Sequence, residues 1–395
     1  MDRQDFQRIE PRAFWALLAL GGVVTLGGLL AAHAMETHGH AITGMSNQVV
    51  WGLPHVFAIF MIVAASGVLN VASIGSVFGQ SAYKPRAPLS GLLSLALLAG
   101  GLMVLMLDLG RPERVVVAAT HYNFTSVFAW NVFLYSGMAA IVALYLWTMF
   151  EPRMHRYARA AGIAALIWRF ALTTGTGSIF AFLIARQAYQ SAVLAPLFIV
   201  LSFAWGLAVF LLVQSSMYAW NGLVLPEAVR ARMARLLGVF VAAALYLVAV
   251  YHLTNLYFAK QSAFEAFVLL GHGDPLGIFP ALFWGGYVVL GTVLPMLLLF
   301  DPRGVGPNAM LTACVMVLAG AFALLFVFIV GGQSFPLEIF PGHEVTSSFA
   351  DGAVEIYVPR WPEWLLGAGG LAAAFVLTLI GVRSLDVLPQ DEGVS

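Results

Sequence analysis

The sequence predicts an all-α, polytopic membrane protein with ten transmembrane helices, and three observations predict it. Of 395 residues, 61% are hydrophobic and only 10% are charged, with 19 Lys+Arg against 19 Asp+Glu. An average soluble domain carries about 25% charge, so a water-facing surface cannot be built from so little at this length. The mean hydropathy of +0.89 agrees. The apolar residues also run in long continuous stretches, and about 20 apolar residues in a helix cross the hydrocarbon core. A helix satisfies its own backbone within lipid, whereas the alternation expected of an outer-membrane barrel is missing. A soluble enzyme and a disordered chain are excluded, and the zero net charge excludes a nucleic-acid binder.

The predicted spans are 13–33, 50–78, 88–108, 126–150, 160–184, 192–217, 234–257, 278–300, 308–331 and 362–383. The first follows Arg3, Arg8 and Arg12 and precedes Ala-His-Ala, as a signal peptide would. Its apolar stretch is too long for that, so it reads as a retained helix. With the N-terminus placed in the cytoplasm, Lys and Arg fall thirteen inside and five outside, with Arg169 within a span. That bias assigns both termini to the cytoplasm. The outer connections 34–49, 109–125, 258–277 and 332–361 are long, and long ordered loops carry function or dock partners. Spans two to five and six to nine run in the same sense, which predicts two four-helix bundles plus two extra helices. The expected divisions are 1–33 (tail and first helix), 34–190 (first bundle), 191–331 (second bundle) and 332–395 (outer loop, last helix, cytoplasmic tail).

Cys314 is the sole cysteine and lies in an apolar run. No disulfide, CxxC metal site or CxxCH haem attachment can be built from it. It reads as a buried hydrophobe. Any iron–sulfur cluster or c-type haem that works with this chain sits on another subunit, and no intrinsic haem, cluster or other metal site is expected.

On this topology His33, His38, His40, His55, His121, His252, His272 and His343 lie toward the outer side, and only His155 lies inside. His38, His40, His272 and His343 read as solvated loop side chains. His55 and His252 sit within or near the ends of spans, where ionisable groups are rare and mark function. Each can instead hydrogen-bond a neighbouring helix, or the two can ligate one haem axially. Asp108 closes span three in Leu107-Asp108-Leu109-Gly110-Arg111-Pro112-Glu113-Arg114. A carboxylate there needs a partner, and Arg111 and Arg114 are the nearest in sequence. Gly110 and Pro112 stop the helix and turn the chain.

Span four opens with Trp130 and Asn131. His55, Asp108, Arg111 and Asn131 can converge near the outer face of the first bundle, with Trp130 shaping the wall. A flat apolar pocket with a few polar contacts suits a quinone (menaquinone or ubiquinone), whose oxygens need donors and a proton route. His55 or Asp108 is the group expected to exchange the proton. Span five carries Arg169, then Thr173, Thr174, Gly175, Thr176, Gly177 and Ser178. This is either close helix packing or a hydrated notch. Arg169, Thr173, Ser178 and His252 are the candidate proton path.

Leu107–Arg114, Val50-Trp51-Gly52 and the run Ser126–Asn131 resemble the NrfD/PsrC superfamily of quinone-interacting membrane subunits. Tyr357-Val358-Pro359-Arg360-Trp361-Pro362-Glu363-Trp364 and the ten spans resemble its longer HybB/DsrP-like branch, with DsrP of the dissimilatory sulfite reductase-linked complex the nearest likeness. The resemblance covers nearly the whole chain. It implies a quinone site near the outer face of the first bundle, carried by Asp108 and Arg111 and extended to His55 and Asn131. It implies a bacterial inner-membrane complex of sulfur metabolism. Its partners would be a periplasmic ferredoxin-like iron–sulfur subunit, a cytochrome c, a cytochrome b and a cytoplasmic iron–sulfur subunit. Two other readings stay open: a bis-histidine b-type cytochrome built on His55 and His252, and a transporter or structural anchor built on two parallel bundles and Arg169.

Overall fold

The computed structural model describes residues 11–337 and 352–387. His343, Arg3 and Arg8 lie outside the described residues. The described chain is helical and contains no strand. Its helices are α1 Pro11–His38, α2 Leu53–Ser76, α3 Ala87–Leu107, α4 Val115–Thr120, α5 Val127–Phe150, α6 Ala158–Ala181, α7 Leu194–Trp220, α8 Glu227–Tyr257 and α9 Ser262–Leu270. They are followed by α10 Ile278–Leu299, α11 Pro307–Ser334 and α12 Trp361–Ser384. All but the short α4 and α9 are long and apolar enough to cross a membrane, ten in all among the described residues.

The boundaries fall close to the predicted ones, with two informative exceptions. Helix α1 runs on to His38 and α8 begins at Glu227. In both places the added turns carry charged or polar residues among good helix formers (Glu36 and His38; Glu227, Arg230 and Arg232), which extend a helix past the apolar core into the interface. Proline in the first turn starts α2, α11 and α12, where its missing N–H would have had no partner anyway. Helices α10 and α11 each contain a wider-wound stretch with i→i+5 bonding, Ala281–Val293 and Val327–Gly331.

Helices α2, α3, α5 and α6 close one ring, in which α2 touches α3 and α6 and α5 touches the same two. Helices α7, α8, α10 and α11 close the other. Helices α1 and α12 pair with each other, and α12 lies against α2 and α3. The rings meet along α2 and α7. A methyl group built at Gly67 would lie 1.6 Å from the Ser202 carbonyl oxygen, and one at Gly206 would lie 2.2 Å from the Gly67 backbone. Only glycine lets these two backbones touch, the usual device where helices associate in lipid. Helix α2 is therefore the axle of the molecule: of its residues only His55, Ile74 and Ser76 escape full burial. The connections 39–52, 108–126, 182–193 and 258–277, with the segments 335–337 and 352–360, lie at one end, the long-loop face.

Candidate functional site

His55 lies in the first turn of α2 at the long-loop face, and Asp108 closes α3 beside it. The imidazole Nδ1 is 2.7 Å from Asp108 Oδ2, and the Asp108 side chain is 1% exposed. Among the described residues, neither Asp108 carboxylate oxygen has a hydrogen-bond partner of good geometry, and the imidazoles of His55 and His40 are the only basic groups within 4 Å of it. That is unusual, because buried carboxylates are normally met by several backbone or hydroxyl donors.

His55 stands in the wall shared by two cavities, and Asp108 beside it lines the second. One, of about 410 Å³, is walled almost entirely by carbon: Ile59, Leu102, Leu105, Phe128, Val132 and Ile179 among others. The second, of about 710 Å³, opens at the long-loop face and carries His40, Ser46, Asn47, Asp108 and Glu355. Trp51, His55 and Leu109 line both. The first cavity lies within the usual size range for a small-molecule site. With Nδ1 turned to Asp108, Nε2 is the ring nitrogen left for a ligand.

Asn131, in the first turns of α5, is 3% exposed and lines the apolar cavity. Its amide nitrogen donates to Val127 O at 2.8 Å, and its Oδ1 has no partner among the described residues. Trp51 roofs the site. Its ring stacks on His55 at 5.8 Å and 25° and meets Phe128 at 6.1 Å and Phe180 at 5.7 Å. Its backbone is held by Gln333 from α11. The Gln333 Oε1 accepts from Val50 N at 3.1 Å and Trp51 N at 3.0 Å, and its Nε2 donates to Trp51 O at 2.9 Å and Ile329 O at 2.8 Å. Arg186 adds donors to Gln333 O and Gln48 O. Glu363, fully buried at the start of α12, accepts from Gly44 N, Arg360 N and the Tyr357 hydroxyl. Burial, then the Glu363 charge, raise the Tyr357 pKa above its ordinary value, so the phenol stays protonated and donates.

The expected Asp108–Arg111 pairing is corrected. Gly110 takes a positive φ of 68° and turns the chain, leaving Arg111 exposed and without an ion pair to Asp108 among the described residues. Histidines from α2 and the 39–52 connection take that place. Trp130 also stands apart: it is 40% exposed, does not line the apolar cavity, and donates from its indole to Phe124 O at 2.6 Å.

Arg169 is buried in the first ring. It donates to Asn70 Oδ1 at 2.5 Å and Ser66 O at 3.4 Å, and lies over the Phe170 and Phe203 rings. Thr173 donates to Arg169 O at 2.5 Å, with the Ser66 hydroxyl 3.3 Å from its own. Ser178 makes no side-chain hydrogen bond to this group among the described residues, and His252 belongs to the other ring. There, His252 Nδ1 is 2.6 Å from Glu265 Oε2, and Asn255 Nδ2 donates to Glu265 Oε1 at 2.8 Å. The space beside His252 is about 20 Å³, room for about one water. His55 and His252 thus face different cavities.

Sequence reasoning missed His40, Glu265, Gln333, Ser66 and Asn70. Of these, only Asn70, an amide deep within span two, carried a signal. The sequence profile of the polysulphide reductase NrfD family matches residues 41–337. An Hdr-like menaquinol oxidoreductase integral membrane subunit of Archaeoglobus fulgidus is 28% identical over 98% of this chain and 97% of its own. A putative membrane subunit of dimethyl sulfoxide reductase from Halobacterium salinarum is 26% identical over 95% and 91%. The protein NrfD of Escherichia coli is 25% identical over 72% and 96%. With three quarters of its length inside the profile and ten membrane-crossing helices, the chain is a multi-pass integral membrane protein belonging to the NrfD family.

Proposed function

We propose that the chain is the quinone-reactive membrane subunit of a multi-subunit oxidoreductase and that the quinone reacts beside His55 and Asp108. The observation that carries this reading is the placement of the pair at the junction of an apolar cavity and a polar vestibule. A quinone ring needs apolar and aromatic walls, while its oxygens need donors and proton exchange with water. When bound, it supplies a couple of two electrons and two protons. Trp51 and Phe128 bound the ring, and Asn131 offers its unpartnered Oδ1 to a hydroxyl. His55 Nε2 gives or takes a proton, and Asp108 steadies the imidazolium that results. Arg111 and Trp130 act from the rim. The ladder of Arg169, Thr173, Ser66 and Asn70 is the inward half of a proton route, with Ser178 and His252 outside it.

The relatives' names, which speak of menaquinol oxidoreductase, dimethyl sulfoxide reductase and selenate reductase, support a role inside a complex. The charge bias supports a periplasmic long-loop face and cytoplasmic termini in a bacterial inner membrane. The electron partner on that face is a ferredoxin-like iron–sulfur subunit. The DsrP-like sequence signature supports dissimilatory sulfur metabolism, with cytochrome b and cytochrome c partners in the same complex.

The test is Asp108→Asn in the assembled complex. Quinol-dependent electron transfer falls by about a hundredfold or more, as expected for loss of a proton-transfer group, while the stoichiometry of the complex stays the same. Unchanged turnover overturns the assignment.

A further inference from the structure

We propose that His40 is the proton-exit residue of this site, the ring that passes protons from Asp108 to the water of the vestibule. The inference rests on the quinone reading and extends it to a residue that the sequence presented as an ordinary solvated loop histidine.

Three observations place His40 on the route. Its Nε2 lies 3.1 Å from the Asp108 carbonyl oxygen and 3.9 Å from Asp108 Oδ1. Its side chain is 35% exposed, against 1% for Asp108, so it spans the step from buried carboxylate to water. It lines the vestibule together with His55 and Asp108 and does not line the apolar cavity. Besides His55 and His40, no basic side chain lies within 4 Å of the Asp108 carboxylate among the described residues.

The local chain holds the ring in this position. His40 opens a short helical turn, His40–Ile42, and Thr43 closes it by donating from its hydroxyl to His40 O at 2.6 Å. The imidazole lies against Gly110, where a methyl group would come within 3.1 Å of His40 Cε1. The turn that carries Arg111 away from Asp108 therefore also makes room for His40.

The step is a proton transfer with no change in electrons. A proton reaching Asp108 from the His55 side is taken from Oδ1 by His40 Nε2, and the proton on His40 Nδ1 leaves to vestibule water. The ring is left with Nε2–H facing the Asp108 carbonyl oxygen 3.1 Å away, and exchange with vestibule water, which returns a proton to Nδ1 and removes the one on Nε2, restores the starting tautomer. The 3.9 Å separation from Oδ1 must shorten to about 3 Å for transfer, a tightening common when a ligand binds.

The charged groups around His40 set its behaviour. Asp108 faces it through Oδ1, with His55 at the other oxygen of the same carboxylate. Glu355 lies across the vestibule. Arg360 donates to Ala41 O at 3.4 Å beside it, and Arg111 follows Gly110. Glu363 lies beyond Gly44.

The experiment is His40→Gln in the assembled complex, with quinol oxidation followed across pH, with and without added imidazole. The glutamine amide can still donate to Asp108 O but cannot relay a proton. Turnover falls by about a hundredfold, the low end for a proton-transfer residue, KM for quinol is unchanged, and imidazole restores the rate. His40→Asn provides the same readout if the first variant fails to assemble. Unchanged turnover and pH profile, or a loss that imidazole does not rescue, overturns the proposal. Asp108→Asn run in parallel separates the two ideas: if it too is fully active, the quinone reading itself fails, whereas if it alone is inactive, only the exit role of His40 fails.

Discussion

Among the described residues, two buried histidine–carboxylate pairs stand at the same end, one in each ring of helices, and they differ in what surrounds them. His55 and Asp108 lie between cavities of about 410 and 710 Å³. His252 and Glu265 lie beside a space of about 20 Å³, and Asn255 supplies Glu265 with a second donor. The chemistry of the two pairs is nearly the same. Access and satisfaction separate them: Glu265, met by an imidazole and an amide in a tight space, joins α9 to α8, whereas Asp108, faced only by imidazoles, stands at the edge of an open cavity.

This contrast can be broken most sharply by removing one carboxylate charge at a time. Asp108→Asn lowers quinol-dependent turnover by about a hundredfold or more. Equal losses from Glu265→Gln would erase the distinction. Gln333→Leu is next in size. It strips the amide that holds Val50 and Trp51, so KM for quinol rises by about tenfold, the equivalent of one or two hydrogen bonds. Michaelis–Menten titration of the variant complex checks this. Glu265→Gln follows, with turnover within about twofold and stability lowered by about 1–2 kcal/mol as His252 loses its anionic partner. Calorimetry together with a turnover assay measures both. Trp130→Phe has the smallest effect, under about twofold on turnover, because it removes one exposed hydrogen bond to the loop at Phe124. A large effect would move the ring site outward.

The membrane-crossing helices were legible because apolar length and terminal proline are local signals. His55, Asp108 and Asn131 were legible because polar residues at the edges of apolar spans stand out. Their partners were not. Arg111 is three residues from Asp108, yet the turn at Gly110 takes it away, while His40 arrives from 68 positions upstream. Glu265 looks like a loop acid until α9 folds it against His252. Gln333 reads as an unremarked polar residue at the end of a span, and its bonds to Val50 and Trp51 cross 283 and 282 positions. Long-range pairings of this kind have no periodicity for a sequence to display.

The fastening of Trp51 has a consequence for modular thinking about this protein. The ceiling above the apolar cavity is pinned by an amide from the opposite half of the molecule, and the two halves are locked backbone to backbone at Gly67 and Gly206. The leading quartet of helices therefore cannot be lifted out as a portable catalytic unit. A truncation that stops before α7 would keep nearly every side chain that touches the cavity's lower walls and still lose the shape of its lid.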